Sequence, residues 1–447
     1  MIARWLIEKE LRELAASRSY WLLLLVIGAL VGHAFMTSVG IYAEASGIGG
    51  GPAALSQGLS PLEGIVVPVL GAYDLAATLL FPFVVIRLIA VEQQTGGLAL
   101  TLQLPASFTM SVVAKAVALV VAWIFSGLVG AFALLLWRMM GGHLYGPETW
   151  TVILGHVLRG VLTIGVAAAA GALATSAASA AIIALTVTLG TWALDYVAAA
   201  RGGMVAAIAA YTPSAALRVF EHGELRVSTV IILLVLGAGG LGVAGAWLQE
   251  GRRLARRAGQ VAAIIVGVAV ACVAAAQIHV SRDVSEDRRN SFPPADERAL
   301  EQIRQPLKVT VYLAAEDPRL ADLERGVLAK LRRTMASVSI NYAAESRSGL
   351  FERPSEHYGE VWYELNGKRA MTRSSTEEIV LETIYSLVGR VAPTSENGAA
   401  YSGYPLAARS ALAPWVFFLF WPSMVVALWW WVRRPRLTRL QTVGERA

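Results

Sequence analysis

Residues 229–248 read TVIILLVLGAGGLGVAGAWL; Arg252, Arg253, Arg256 and Arg257 come just after, and a second uncharged run, VAAIIVGVAVACVAA, follows at 261–275. An α-helix needs about 20 apolar residues to cross the hydrocarbon core of a bilayer. An arginine cluster at the end of such a run marks the side of the membrane that retains positive charge. The stretch therefore reads as two crossing helices joined by a basic loop.

The same pattern recurs in both directions along the chain. Tyr20 to Tyr42, Val69 to Val91, Val112 to Met139, Trp150 to Thr175, Ala178 to Ala199 and Pro414 to Val432 are long and apolar enough to cross, making eight spans with the two above. Ser176 and Ala177 leave almost no loop between the fourth and fifth, which predicts a tight helical hairpin. The whole chain is 56% hydrophobic and 16% charged, more oil than a soluble core needs.

Sidedness follows from three arginine groups. Arg4, Arg12 and Arg18 precede the first span, the 252–257 cluster follows the sixth, and Arg433, Arg434, Arg436 and Arg439 follow the eighth. With eight alternating spans all three fall on one side; omitting the short seventh would separate the second from the third. The positive-inside rule makes that side cytoplasmic, with both chain ends there. The net charge of +6 is thus accounted for by topology, with no nucleic-acid partner. Trp429, Trp430 and Trp431 beside Arg433 read as an interfacial anchor.

Residues 279–390 have the composition of a soluble α/β domain outside the membrane. Pro293 and Pro294 sit where a helix can begin, Leu307 to Leu313 alternates like a strand, and Asp317 to Met335 places Leu320, Leu323, Val327, Leu328 and Leu331 at helical spacing. Val338 to Tyr342 returns to strand character. Tyr358 to Leu365 and Lys368 to Thr372 flank Asn366 and Gly367, a pair that favours a type I′ hairpin. Ser375 with Glu378 three residues on predicts a capped closing helix. The order is similar to a thioredoxin-like arrangement, but the single cysteine, Cys272, lies in the seventh span, so thiol pairing within the chain is excluded. Within the linker 391–412, Pro393 to Pro405, rich in glycine, serine and small residues, predicts a flexible return to the last span.

At the N-terminus Ala3, Ile7, Leu11 and Leu14 form one stripe, predicting a helix (residues 1–18) along the inner membrane surface. Its basic stretch contains Glu8, Glu10 and Glu13, unlike a cleaved signal. This block resembles the entry helix of ABC-type exporter permeases. After the second span, Arg87, Glu92, Gly96, Gly97, Leu104, Pro105, Ser107 and Lys115 keep the order of that family's cytoplasmic loop. Tyr211 to Ser214 and Phe220 to Gly223 resemble its outer loop before the last helix. The resemblance covers most of residues 1–257, with the six spans usual in that family (19–257).

The remainder is a seventh span (258–278), the outer domain, an eighth span (413–432) and a basic tail (433–447). The outer domain resembles the soluble domain of gliding-motility-associated auxiliary transport proteins, on Arg282 to Ser285, Pro306 to Leu313 and Tyr358 to Val361. The resemblance implies a permease subunit working with a cytoplasmic ABC ATPase and a second permease subunit, identical or different, and it leaves room for an envelope partner at the outer domain. It assigns Arg87, Glu92, Gly96, Gly97, Pro105, Ser107 and Lys115 to coupling.

The chain carries no G-x-x-x-x-G-K-[ST] loop, so hydrolysis falls to another subunit. Neither H-E-x-x-H nor G-x-S-x-G occurs, no metal-ligand cluster stands out and no cofactor is called for. The alternative is a membrane-anchored assembly or receptor module that acts through its outer domain without transport. Inside the spans, Asp74, His156, Arg159 and Asp195 are the ionisable candidates for a pathway. Each costs about 2.5–3.5 kcal/mol at mid-membrane on insertion scales unless it finds a partner. Asp74, His156 and Arg159 are expected toward the outer halves of their spans, and His33 is expected to be packed or hydrogen-bonded. Small residues from Ala167 to Ala181 predict close helix approach in the fourth and fifth spans.

Overall fold

The computed structural model describes residues 2–46, 59–95, 108–201, 205, 208–209, 211–249, 252–278, 280–314, 317–343, 357–393 and 401–433. Eight helices are long and apolar enough to cross a membrane: Arg18–Ala45, Leu62–Ile89, Met110–Met139, Gly146–Leu173, Ala177–Ala198, Val227–Trp247, Leu254–Ala276 and Ala413–Arg433. They correspond one to one with the runs read from the sequence, as expected of a multi-pass, membrane-embedded helical protein. Three of them are not uniform. The second opens with a π-helical turn at Leu62–Val66, the eighth contains one at Val416–Phe420, and the third is broken between Phe108–Ser126 and Leu128–Met139 at Gly127.

Helix faces decide the packing. Gly28 and Gly32 lie one turn apart on the first span, and the eighth span presses Trp421 and Phe417 into the groove they leave. A Cβ on Gly28 would lie 2.2 Å from Trp421 Cδ1, and one on Gly32 would lie 2.4 Å from Phe417 Cβ. Trp421 Nε1 also donates to Leu24 O at 2.8 Å, which satisfies its only polar atom in an apolar setting. The sequence placed the close approach of small residues in the fourth and fifth spans. Ala170, Ala180 and Ala184 of those spans do pack together with Ile86, and the fourth span also approaches the sixth closely, where a Cβ on Gly165 would stand 2.3 Å from Gly237 O. The fifth and seventh spans lie outermost, with 11% and 6% of their apolar windows buried.

Both ends of the described chain meet at one face. Helix Ile2–Ala16 packs against the foot of the third span, Arg433 Nη2 donates to Ala16 O, and Gly245 near the end of the sixth span lies by Val112 at the start of the third. The buried stripe of that helix is Leu6, Glu10 and Leu14; Ile7 and Leu11 are half-buried and Ala3 is exposed. The stripe expected from the sequence is therefore turned by about one position, because a carboxylate with a buried ammonium partner takes a core place that hydrophobicity alone would not give it.

A small sheet domain sits at the opposite face. After strands β1 (Glu224–Arg226) and β2 (Ser281–Asp283), which form a ribbon of their own, its sheet is built in spatial order from β4 (Val338–Tyr342), β3 (Leu307–Val311), β5 (Val361–Leu365) and β6 (Lys368–Thr372), with β3 parallel to β4 and antiparallel to β5, which pairs antiparallel with β6. β3 and β5 carry alternating buried side chains, and these pack under the helical stretch Pro318–Thr334 and the closing helix Glu377–Val388. Asn366 and Gly367 both take positive φ, 52° and 79°, as the type I′ reading requires. Pro294 opens helix Pro294–Glu301.

Two expectations are corrected here. The closing helix starts one residue late, with Thr376 rather than Ser375 at the cap position, and neighbouring Ser374 Oγ accepts from Thr376 N at 3.1 Å. The return segment, expected to be flexible, is pinned over its described residues 401–412. Tyr404 O accepts from Tyr42 OH at 2.8 Å, Tyr404 N donates to Leu59 O at 3.0 Å, and Leu406 N donates to Ser46 Oγ at 2.9 Å. Polar loop composition hides these bonds because the partners lie hundreds of residues away in the chain.

A polar seam fastens the domain to the helical body. A two-stranded antiparallel ribbon pairs Glu224–Arg226 with Ser281–Asp283. Arg289 meets Glu63 at 2.5 Å and donates to Ser60 Oγ at 2.8 Å, while Glu286 N donates to Glu148 Oε2 at 3.1 Å. His143 stacks on Tyr404 at 3.6 Å and lies 3.0 Å from Glu286. Burial alone would raise the Asp283 carboxyl, but bonds from Ser285, Ser291 and Asn290 hold it below its ordinary value.

Candidate intramembrane polar site

His156 and Arg159 are three residues apart on the fourth span, so they share a helix face, and that face meets Asp74 on the second span. Arg159 Nε lies 3.0 Å from Asp74 Oδ2, and His156 Nδ1 lies 3.8 Å from Asp74 Oδ1. Thr78, one turn along from Asp74, donates to Oδ1 at 3.4 Å. All three ionisable groups are buried; Asp74 is 9% exposed, His156 3% and Arg159 7%. Asp74 and Arg159 stand next to the midpoints of Leu62–Ile89 and Gly146–Leu173, and His156 one turn further toward the start of its helix. The second span begins earlier than its hydropathy suggests, since Leu62–Val66 already belongs to it.

Inside a span separate charges would be costly, and Asp74 and Arg159, of opposite sign at 3.0 Å, offset part of that cost. The offset is partial. Arg159 Nη1 and both ring nitrogens of His156 are buried without a hydrogen-bond partner, as is Ser214 Oγ. Tyr73, adjacent to Asp74, turns its hydroxyl to Trp123 O and Ser126 at 3.2 and 3.0 Å and adds no bond to the cluster.

Asp195 belongs to a second layer close to the outer end of the fifth span. It accepts from Thr212 Oγ1 at 2.5 Å and pairs with Arg218 Nη1 at 3.3 Å. Thr212 caps the short helix Pro213–Glu221 by accepting from Ala215 N at 3.1 Å. That helix lays Ser214, Arg218 and Glu221 over the Asp74–Arg159 pair. Burial raises the Glu221 carboxyl above its ordinary value; Asp74 raises it further, while His156, Arg218 and Arg159 pull the other way.

Between these groups is a cavity of about 420 Å³. Asp74, Thr78 and Arg159 line it together with Ser214, Arg218 and Glu221, while Leu75, Leu189 and Trp192 supply apolar wall. Sequence reasoning identified Asp74, His156, Arg159 and Asp195 and allowed an interhelical pair among the first three, but not which of them meet. It read Glu221 only as part of a loop and did not single out Arg218. The signal available was Thr212-Pro213 as a helix start, with Arg218 and Glu221 three apart on the helix it opens.

The coupling candidates lie at the other face. Arg87 Nη1 donates to Ser19 Oγ at 3.1 Å, tying the foot of the second span to the start of the first. Lys115 Nζ pairs with Glu10 Oε2 at 2.8 Å, with side-chain exposures of 12% and 2%. Lys115 is therefore a buried link to the interface helix and not a solvated loop charge. Glu92 falls within helix Val67–Thr95, with its side chain outside the described set. Gly96, Gly97, Pro105 and Ser107 lie outside the described residues, as do Arg434, Arg436 and Arg439. Among the described residues no group of His, Cys, Asp and Glu is placed to hold a metal ion. His33, expected to be packed, is exposed on the first span beside Thr37 and Gly40. Comparison with family models, curated proteins and solved structures finds no match to this chain.

Proposed function

We propose that the chain is the membrane-spanning subunit of an ATP-driven exporter in a bacterial cytoplasmic membrane, with hydrolysis carried out by a separate cytoplasmic ABC ATPase. The observation that carries the reading is the buried Glu10–Lys115 pair. It makes the interface helix and the third span one mechanical unit, so a push on the helix tilts the span. Arg87 to Ser19 ties the second span to the first at the same face, and Arg433 to Ala16 adds the eighth. On this reading the basic face is cytoplasmic, both chain ends lie there, and the soluble domain is extracytoplasmic.

A second permease subunit fits the exposed imidazole of His33. An ionisable group facing lipid near mid-span is costly, and a facing subunit would cover it. The outer sheet, a parallel β3–β4 pair extended by an antiparallel hairpin and closed by a helix, supports a thioredoxin-like architecture used for binding, without thiol chemistry. An envelope partner would meet the complex there.

The test is purification in mild detergent with the candidate ATPase co-expressed. The exporter reading expects a stable complex whose ATP hydrolysis changes when Glu10→Lys or Lys115→Glu is introduced. Hydrolysis indifferent to both changes, with no complex recovered, would leave the anchored binding module as the better account.

A further inference from the structure

The cavity over the Asp74–Arg159 pair combines features that point to a ligand class. We propose that it binds the phosphate or carboxylate head of a membrane amphiphile, which enters sideways between the second and fifth spans while its tail stays in lipid.

The polar requirement comes from donors. Arg159 offers five N–H groups and finds one carboxylate. Its Nη1 is buried and unpartnered, and Arg159 is itself part of the cavity lining. Ser214 Oγ, on the opposite wall, is unpartnered as well. Buried donors of this kind are expensive, and an oxyanion with several acceptor lone pairs answers them together. Two nearby carboxylates are already committed. Asp74 serves Arg159 and Thr78, and Asp195 serves Thr212 and Arg218. Burial moves Glu221 toward its neutral form, so it repels an entering anion less than a free carboxylate would.

The lateral route comes from the walls. Leu75, Leu189 and Trp192 line the cavity yet remain 49%, 42% and 60% exposed on the helix surfaces that would face lipid. The fifth span is among the least packed of the eight, which leaves its seam with the second span loosely closed. A space of about 420 Å³ accepts one headgroup and is too small for a polymer. The inference needs no ATPase, so it stands or fails separately from the exporter reading.

The experiment uses the full chain, delipidated in detergent and examined by native mass spectrometry against phosphatidylglycerol, phosphatidylcholine or inorganic phosphate. The expected result is one phosphatidylglycerol retained at least tenfold more tightly than phosphatidylcholine and not displaced by millimolar phosphate. Arg159→Gln is expected to abolish retention, but it strands Asp74 and can fail to fold. Arg218→Gln, at a half-exposed side chain, and Leu189→Trp, which narrows the mouth, provide the folded comparisons; each is expected to lower retention at least fivefold. Equal retention of the two lipids, or unchanged retention in both folded variants, overturns the proposal. Displacement by inorganic phosphate alone overturns the amphiphile and leaves a small-anion site.

Discussion

Glu10 of the interface helix and Lys115 of the third span meet at 2.8 Å with little of either side chain in solvent. Removing one member of a buried pair typically costs about 3–5 kcal/mol because the other is left uncompensated. Lys9 also reaches Glu10, at 3.3 Å, so Lys115→Ala is expected nearer about 2 kcal/mol. Thermal unfolding in detergent should show a lowered Tm for Lys115→Ala and for Lys115→Glu. The exchange Glu10→Lys with Lys115→Glu should recover part of the loss, and a double variant no better than its parts would deny the link.

Gly28 holds Trp421 where no other residue could. An isoleucine there would drive its Cβ into an indole fixed by the bond to Leu24 O. Overpacking of this kind costs about 1–3 kcal/mol, and an immobile obstacle puts it at the upper end. Gly28→Ile should lower Tm by several degrees. Gly40→Ile on the same helix, with nothing within 4 Å, should leave it unchanged.

Helix Ile2–Ala16 with Arg433 and the sheet domain occupy opposite faces, and a single cysteine makes the topology easy to test. In a Cys272→Ser background, Ala3→Cys and Glu301→Cys both fall at exposed positions. A membrane-impermeant maleimide added to intact spheroplasts should label Glu301→Cys at once and Ala3→Cys only after lysis. Labelling of both from one side would remove the topology on which the exporter reading depends.

In the sheet domain, hydrogen bonds from Arg319 hold Asp317 down to about 2, with a further bond from Tyr358 OH at 2.9 Å. A carboxyl whose folded value lies below its unfolded one adds stability that is fully present above about pH 4 and lost as pH falls toward 2. Circular dichroism melts should show that acid loss in the native chain, and Asp317→Asn should flatten it between those limits while leaving the profile above pH 5 parallel.

If a second copy covers His33, then Thr37, one turn away on the same exposed face, should approach its own counterpart. Thr37→Cys in the Cys272→Ser background is expected to form a disulfide-linked dimer under mild oxidation. Cysteine at buried Ser38 is not expected to do so. Absence of the dimer at Thr37 while a complex of two permease chains is still recovered would indicate a different facing surface or a different partner chain.

The number and order of the spans were legible in the sequence because a bilayer writes its thickness and its charge asymmetry directly into composition. The hairpin at Asn366 and Gly367 was legible for a local reason, since few residue pairs tolerate two positive φ angles in succession. Partnership was not legible. Asp74 and Arg159 are each a single polar letter in an apolar run, and only the rotation of the second span against the fourth makes them a pair rather than two isolated costs. The same holds for Glu10, which lies off the apolar stripe read from the sequence and is buried against Lys115. Glu221 joins the cavity because a short capped helix folds back over it, and Tyr404 pins a segment whose composition reads as loose. Periodicity records which face of a helix is apolar; which helix that face meets, and so which donors remain unanswered around the cavity, is decided by packing over distances that no local pattern encodes.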